Sequence, residues 1–176
     1  MAAKYLHYTY DQLNTFCMDA FQKFGFSESE ARIISDVLLL SDLYGIESHG
    51  MQRLVRYHKG IEKGMIDVHA KPEIVHETPV SAVIDAHDAM GQLVSHQAME
   101  LAIAKAKKTG MAIVSVRNSN HFGIAGYYAK MACDQGLVGM AMTNSEAIMV
   151  PTFARMAMIG SNPIALAVPA EPYPFF

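Results

Sequence analysis

The sequence predicts an α/β protein in which an N-terminal helical segment is followed by an alternating strand/helix layer. Three observations carry this expectation. Apolar residues recur at helical spacing through residues 9–64, Pro72 and Pro79 mark a change of pattern, and beyond them short β-rich runs alternate with amphipathic ones.

In chain order, Thr9 and Gln12 have capping-box spacing. Leu13, Phe16, Cys17, Ala20, Phe21 and Phe24 then follow at helical intervals until Gly25 supplies a stop. Ser27 and Glu30 repeat the capping box ahead of "ARIISDVLLLSDLY", a second helix that reaches Gly45. Ser48 is the expected cap of a third, "HGMQRLVRYHKGIEKG", closed near Gly60 or Gly64. "EIVHET" and "SAVIDAH" read as strands, and "QLVSHQAMELAIAKAKK" as a helix with lysines at its C-terminal end, stopped by Gly110. "MAIVSVR" reads as a buried strand, "AGYYAKMACDQ" as a helix, and "LVGMAMTNS" and "IALAVPA" as further strands. No internal repeat or low-complexity run interrupts them.

Composition narrows the function classes. With 51% hydrophobic and 18% charged residues, the chain has the balance of a folded protein. A net charge of -3 with scattered Lys and Arg gives no footprint for nucleic acid or an anionic membrane. Cys17 and Cys133 lack zinc or redox spacing, so two reduced thiols and a cytoplasmic location are expected. The N-terminus has no apolar signal region, and no run approaches a membrane span. No metal is expected, because the eight histidines show no HExxH or comparable spacing.

Two polar clusters could carry chemistry. In "ESHGMQRLVRY", His49 and Arg53 lie four residues apart behind Ser48, so a helix would put both on one side. The unpaired N–H groups of a helix start, a guanidinium fork and an imidazole that titrates near neutrality suit a 2-hydroxy or 2-keto acid. An exposed arginine and an incidental histidine explain the same spacing without a ligand. In "RNSNHFG", Asn118, Ser119, Asn120 and His121 follow a predicted strand, where α/β proteins place ligands. A turn whose Asn and Ser bond their own backbone is the alternative there. "MTNSEA", with Thr143, Asn144 and Ser145, and "GSNP", with Asn162, are further polar breaks that could line the same crevice or form turns. The chain has no G-x-G-x-x-G after a strand, no P-loop and no G-x-S-x-G elbow.

"DLYGIESHGMQRLVRY", "AMELAIAKAKKTGMAIVSVRNSNHFGIAGYYAKMA", "GMAMTNSEAIMVP" and "GSNPIALAVPA" resemble successive blocks of the type-2 malate/L-lactate dehydrogenases. That group includes ureidoglycolate, sulfolactate and diketogulonate oxidoreductases. The resemblance implies hydride transfer between NAD or NADP and a 2-hydroxy/2-keto acid, most commonly malate or lactate, on an α/β fold that is not a Rossmann fold, in a homodimer. It implies acid–base work for His49 or His121, carboxylate binding by Arg53, and further substrate contacts at Ser48 and Asn120. Cofactor contacts are implied at Asn118, Thr143, Asn144, Ser145 and Asn162. Residues 1–78 are then a helical region with part of the substrate site, and residues 79–176 the first part of a cofactor-binding domain. Members of the group are longer, and the apolar end "YPFF" is expected to continue into a core. A fragment of a longer enzyme is therefore expected, the alternative being a truncated module that acts only by pairing with another chain.

Overall fold

Local signals set the first two helices. The computed structural model describes residues 6–172, so the apolar end "YPFF" lies outside the described residues. Helix α1 (Tyr10–Lys23) starts at the capping box of Thr9 and Gln12, and α2 (Glu28–Leu43) at that of Ser27 and Glu30, each reciprocal. Both boxes satisfy orphan N–H groups at a helix start, worth about 1 kcal/mol apiece. The two helices pack through Cys17, Phe21, Ala31, Ile34 and Leu38, and Tyr57, Ile66 and Met90 close the same core from other elements. Phe21 meets Phe24 edge-on at 5.7 Å and Phe26 at 6.1 Å, a geometry that adds to plain area burial. Cys17 is fully enclosed, and burial pushes its thiol up to about 11, so it is an inert core residue.

After a short helix α3 (Leu54–Glu62), strands β1 (Glu73–Glu77) and β2 (Ser81–Asp85) pair antiparallel. Helix α4 (Gly91–Thr109) then crosses over to β3 (Ile113–Arg117), which pairs parallel with β2. Gly110, at φ 87°, ends α4 in the left-handed region that the expected stop requires. The sheet order is β1-β2-β3. Ile84, Ala86, Val94 and Ala98 form the core between β2 and α4, with Val114 and Val116 packed on it.

One strand departs from expectation. β3 was expected to be buried, but its residues alternate between exposed and half-buried. Val114 and Val116 pack on the core through one face of the sheet, and Ile113 and Ser115 on the other face are exposed.

The chain divides into two compact units, residues 1–123 and 124–176. A boundary at 78/79 falls in the turn between the paired strands β1 and β2. In the second unit, α5 (Ala125–Cys133) packs on the antiparallel pair β4 (Gly139–Met142) and β5 (Ile164–Ala167) through Ala129, Cys133, Ala165 and Ala167. Gly139 permits this approach, since a Cβ there would lie 2.1 Å from the carbonyl oxygen of Ala129. Cys17 and Cys133 are both buried and free. Among the described residues no helix is long and apolar enough to cross a membrane.

Candidate active site

The third helix does not begin at Ser48, and its actual start shapes the site. Residues Glu47–His49 and Met51–Arg53 form two single 3-10 turns, and α3 starts only at Leu54 without a side-chain cap. The cause is tertiary. The Asp42 carboxylate, projecting from α2, takes the N–H of Met51 at 2.8 Å and packs so closely that a Cβ on Gly50 would fall 1.8 Å from its Oδ1. Gly50 lets the chain step past that carboxylate. Burial raises the Asp42 carboxyl above its ordinary range, and the Met51 N–H partly offsets this.

Freed from capping, Ser48 places its hydroxyl 2.9 Å from His49 Nδ1, and Arg53 donates from Nε to the carbonyl of Ser48. The segment is thereby folded back on itself. His49 stacks on His121, with ring centroids 5.3 Å apart and planes 30° from parallel. The first unit therefore brings together Ser48, His49, Arg53 and His121, which lie far apart in the chain.

His121 is held by two further groups. The Tyr57 hydroxyl lies 2.7 Å from His121 Nδ1, and the Gly123 N–H donates to the same nitrogen at 3.3 Å. Behind the phenol, Gln92 Nε2 donates to the Tyr57 oxygen at 2.7 Å. Tyr57 and Gln92 are buried. Burial pushes the Tyr57 phenol up to about 12, so it stays a neutral hydroxyl.

The electrostatics are one-sided. His121 is pushed down to about 4, first by burial and then by the positive charge of Arg53, with His49 and Arg56 contributing. Burial and Arg53 lower His49 as well. Both rings are neutral at pH 7. Among the described residues Arg53 joins no ion pair, so its guanidinium carries a positive charge beside the two imidazoles with no carboxylate at ion-pair distance. Nε2 of His121 has no hydrogen-bond partner among the described residues.

The asparagines of the same loop are partly engaged. Asn118, at φ 51°, donates its amide to both Asp85 oxygens at 3.0 Å, and Arg117 donates to Asp85 at 2.9 Å. The Asn118 bond leads the forces that hold the Asp85 carboxyl below its usual range. Asn120 donates to the carbonyls of Asp88 and Ala89. These bonds tie the loop to the end of β2 and to the segment just before α4.

In the second unit, Thr143, Asn144, Ser145 and Asn162 gather beside β4 and β5. Ser145 N–H donates to Asn162 Oδ1 at 2.9 Å, and Thr143 N–H to the carbonyl of Pro163 at 3.3 Å. Gly160 fits closely against Ser145, where a Cβ would meet Oγ at 2.4 Å. Hydroxyls, amides and a close glycine suit the carboxamide and ribose hydroxyls of a nicotinamide nucleotide.

Comparison with known proteins now decides the family, because the family model described as malate/L-lactate dehydrogenase matches residues 8–176. The chain belongs to the malate/L-lactate dehydrogenase family. Relatives within the family include a malate dehydrogenase of Pyrococcus abyssi, 48% identical over 97% of this chain and 47% of the relative. An L-sulfolactate dehydrogenase of Methanocaldococcus jannaschii is 43% identical over 90% of this chain and 46% of its own length. The solved malate dehydrogenase of Pyrococcus horikoshii OT3 superimposes with a TM-score of 0.94 at 46% identity, covering 97% of this chain and 49% of that one. The chain spans about half the length of the curated relatives it matches. This match accounts for the mixed helices and small sheets and for the lack of a Rossmann fold.

Two residues of the candidate site, Tyr57 and Gln92, were not singled out by sequence reasoning. Tyr57 carried a signal, since it follows Arg53 by four residues on α3. Gln92 carried a weaker one, a polar residue at the start of an otherwise apolar helix face.

Proposed function

We propose that this chain carries the substrate-binding part of a cytoplasmic, homodimeric oxidoreductase that moves a hydride between NAD or NADP and a 2-hydroxy/2-keto acid. One observation supports this above the others: two stacked histidines, both shifted toward the neutral form, beside an arginine that joins no ion pair among the described residues. Such a site attracts an anion and offers it a proton acceptor.

Arg53 takes the substrate carboxylate, with Ser48 and Asn120 as further hydrogen-bonding groups. The hydroxyl at C2 then faces His121 or His49. Bound carboxylate offsets the Arg53 charge that holds His121 down, so the imidazole becomes more basic when substrate arrives. The base is thus strengthened by the molecule it serves. A nicotinamide cofactor, when bound, supplies the acceptor for the hydride from C2. Asn118 in the first unit, and separately Thr143, Asn144, Ser145 and Asn162 in the second, are proposed as cofactor contacts. The names of the relatives above 40% identity favour malate or a sulfonated analogue, acids with a second anionic group, over lactate.

The test is oxidation of NADH and NADPH with oxaloacetate and pyruvate, comparing the chain with Arg53→Lys. Lysine keeps the charge and loses the fork. The expected loss in kcat/KM is on the order of a hundredfold, a few kcal/mol for a broken charge-assisted contact. Unchanged turnover removes Arg53 from the carboxylate site.

A second reading is that the chain is catalytically incomplete and acts only with another chain. It is favoured by the half-length match and by the exposed Met140, Met142, Ile148, Phe153 and Ile164 of the second unit. Turnover by the purified chain alone excludes it.

A further inference from the structure

The hydrogen-bond chain behind His121 has a direction, on which the Gly123 N–H at one end and the Gln92 amide at the other both bear. The Gly123 N–H can only donate, so the His121 Nδ1 that it faces at 3.3 Å accepts. The Tyr57 hydroxyl at 2.7 Å must then give its proton to Nδ1, and its oxygen is left to accept from Gln92 Nε2 at 2.7 Å. A neutral imidazole whose Nδ1 accepts carries its proton on Nε2. Read this way, the ring is a hydrogen-bond donor toward substrate and not yet a proton acceptor.

Gln92 is where the chain can reverse. Its side chain is fully buried, and its Oε1 has no hydrogen-bond partner among the described residues. A buried orphan oxygen costs about 1–3 kcal/mol and calls for a reason. Turning the amide over brings Oε1 to the phenol, which then donates to Gln92 and accepts from Nδ1–H. Nε2 becomes the bare nitrogen. The cost is a Gly123 N–H opposite an N–H and a Gln92 NH2 without an acceptor. The two directions of the chain are therefore each imperfect.

We propose that Gln92 is a positioning residue that sets the tautomer of His121 through Tyr57, its amide N–H holding the ring proton on Nε2 and its amide oxygen moving that proton to Nδ1. It rests on reading His121 as the acid–base group. With Nε2 bare, that nitrogen would take the hydroxyl proton from the substrate oxygen, and a bound nicotinamide would supply the acceptor for the hydride from C2. The ring becomes a cation whose Nδ1–H stays on Tyr57, and water later takes the proton. With Nε2–H, the ring holds the keto oxygen. The titratable groups that act on the ring are Arg53, Arg56 and His49.

The experiment reads the two ring nitrogens of His121 by long-range 1H–15N correlation in the 15N-labelled 176-residue chain, assigned by their loss in His121→Gln. The wild type is expected to show a protonated Nε2 and an unprotonated Nδ1 at neutral pH. Gln92→Glu, whose carboxylate only accepts, is expected to exchange the two signals, and Gln92→Met to average them. A wild-type ring protonated on Nδ1 overturns the proposal. So does a wild-type pattern retained in both variants. If the Gln92 variants do not fold, Tyr57→Phe decides: the Nδ1 signal is expected to shift, because only the Gly123 N–H remains on that nitrogen, and an unmoved signal overturns the proposal. No substrate or cofactor is needed, so absent turnover counts against the dehydrogenase reading and leaves this one standing on its own spectra.

Discussion

The two compact units differ in how large a core they enclose. The first encloses Cys17, Phe21, Ile34, Leu38 and Tyr57 in one core and Ile84 and Val94 in another, with reciprocal caps on its first two helices. The second buries a small cluster of Ala129, Cys133 and Ala167 and leaves Met140, Met142, Ile148, Phe153, Met156 and Ile164 exposed. The difference teaches that precision follows enclosure. In the first unit, His121 is fixed by a phenol, a buried amide and a backbone N–H. In the second, Ser145 and Asn162 are held chiefly by each other and by loop backbone.

The largest expected effect breaks the enclosed side of this comparison. Gly91, at the start of α4, lies so close to the loop that a Cβ would fall 2.3 Å from the Asn120 carbonyl oxygen and 2.4 Å from that of His121. Backbone must move to admit it. Gly91→Ala is expected to lower stability by about 3 kcal/mol, the upper range for overpacking, and to shift the His121 ring signals. Urea unfolding and NMR check both. Wild-type stability with unmoved signals would mean that the loop is not held by α4.

A smaller effect comes from pH. His121 is held at about 4 in the folded chain against an ordinary 6.5, so the unfolded chain binds more protons between those values. Stability is fully present above pH 6.5 and falls as pH drops toward 4 on account of this group. Asp85, held low by Asn118 and Arg117, adds a loss at lower pH still, as pH falls through its folded value. The melting temperature of His121→Gln is expected to fall less steeply between pH 6.5 and 4 than that of the wild type. Parallel profiles would remove His121 as the cause.

The smallest effect sharpens the open side. Phe153 is fully exposed, with a positive φ of 64°. Phe153→Ser is expected to change stability by no more than about 0.5 kcal/mol, as is usual for exposed positions. Binding of a hydrophobic dye should fall, since apolar surface is removed. A large loss of stability would show that this ring is covered.

What was legible in the sequence was what short-range physics decides. The capping boxes at Thr9 and Ser27, the Gly110 stop and the five strands lie where pattern and turn chemistry put them. Ser48 failed as a cap because Asp42, nine residues from Met51, takes the N–H that opens the second 3-10 turn. β3 failed as a buried strand because its apolar run does not reveal whether a neighbour lies on each side. For the candidate site, His49, Arg53 and His121 were readable by residue type, and the family resemblance added their roles. The partners that orient His121 were not, since Gln92 meets Tyr57 across 35 positions and Tyr57 meets His121 across 64. No local spacing encodes such contacts.

The contact at Gly91 has a mechanical meaning as well. Because α4 touches the His121 loop through bare backbone, without a flexible side chain between them, the joint has no slack. Helix and loop behave as a single lever, anchored through α4 to the sheet. A displacement of the start of α4 would therefore press directly on the backbone of Asn120 and His121.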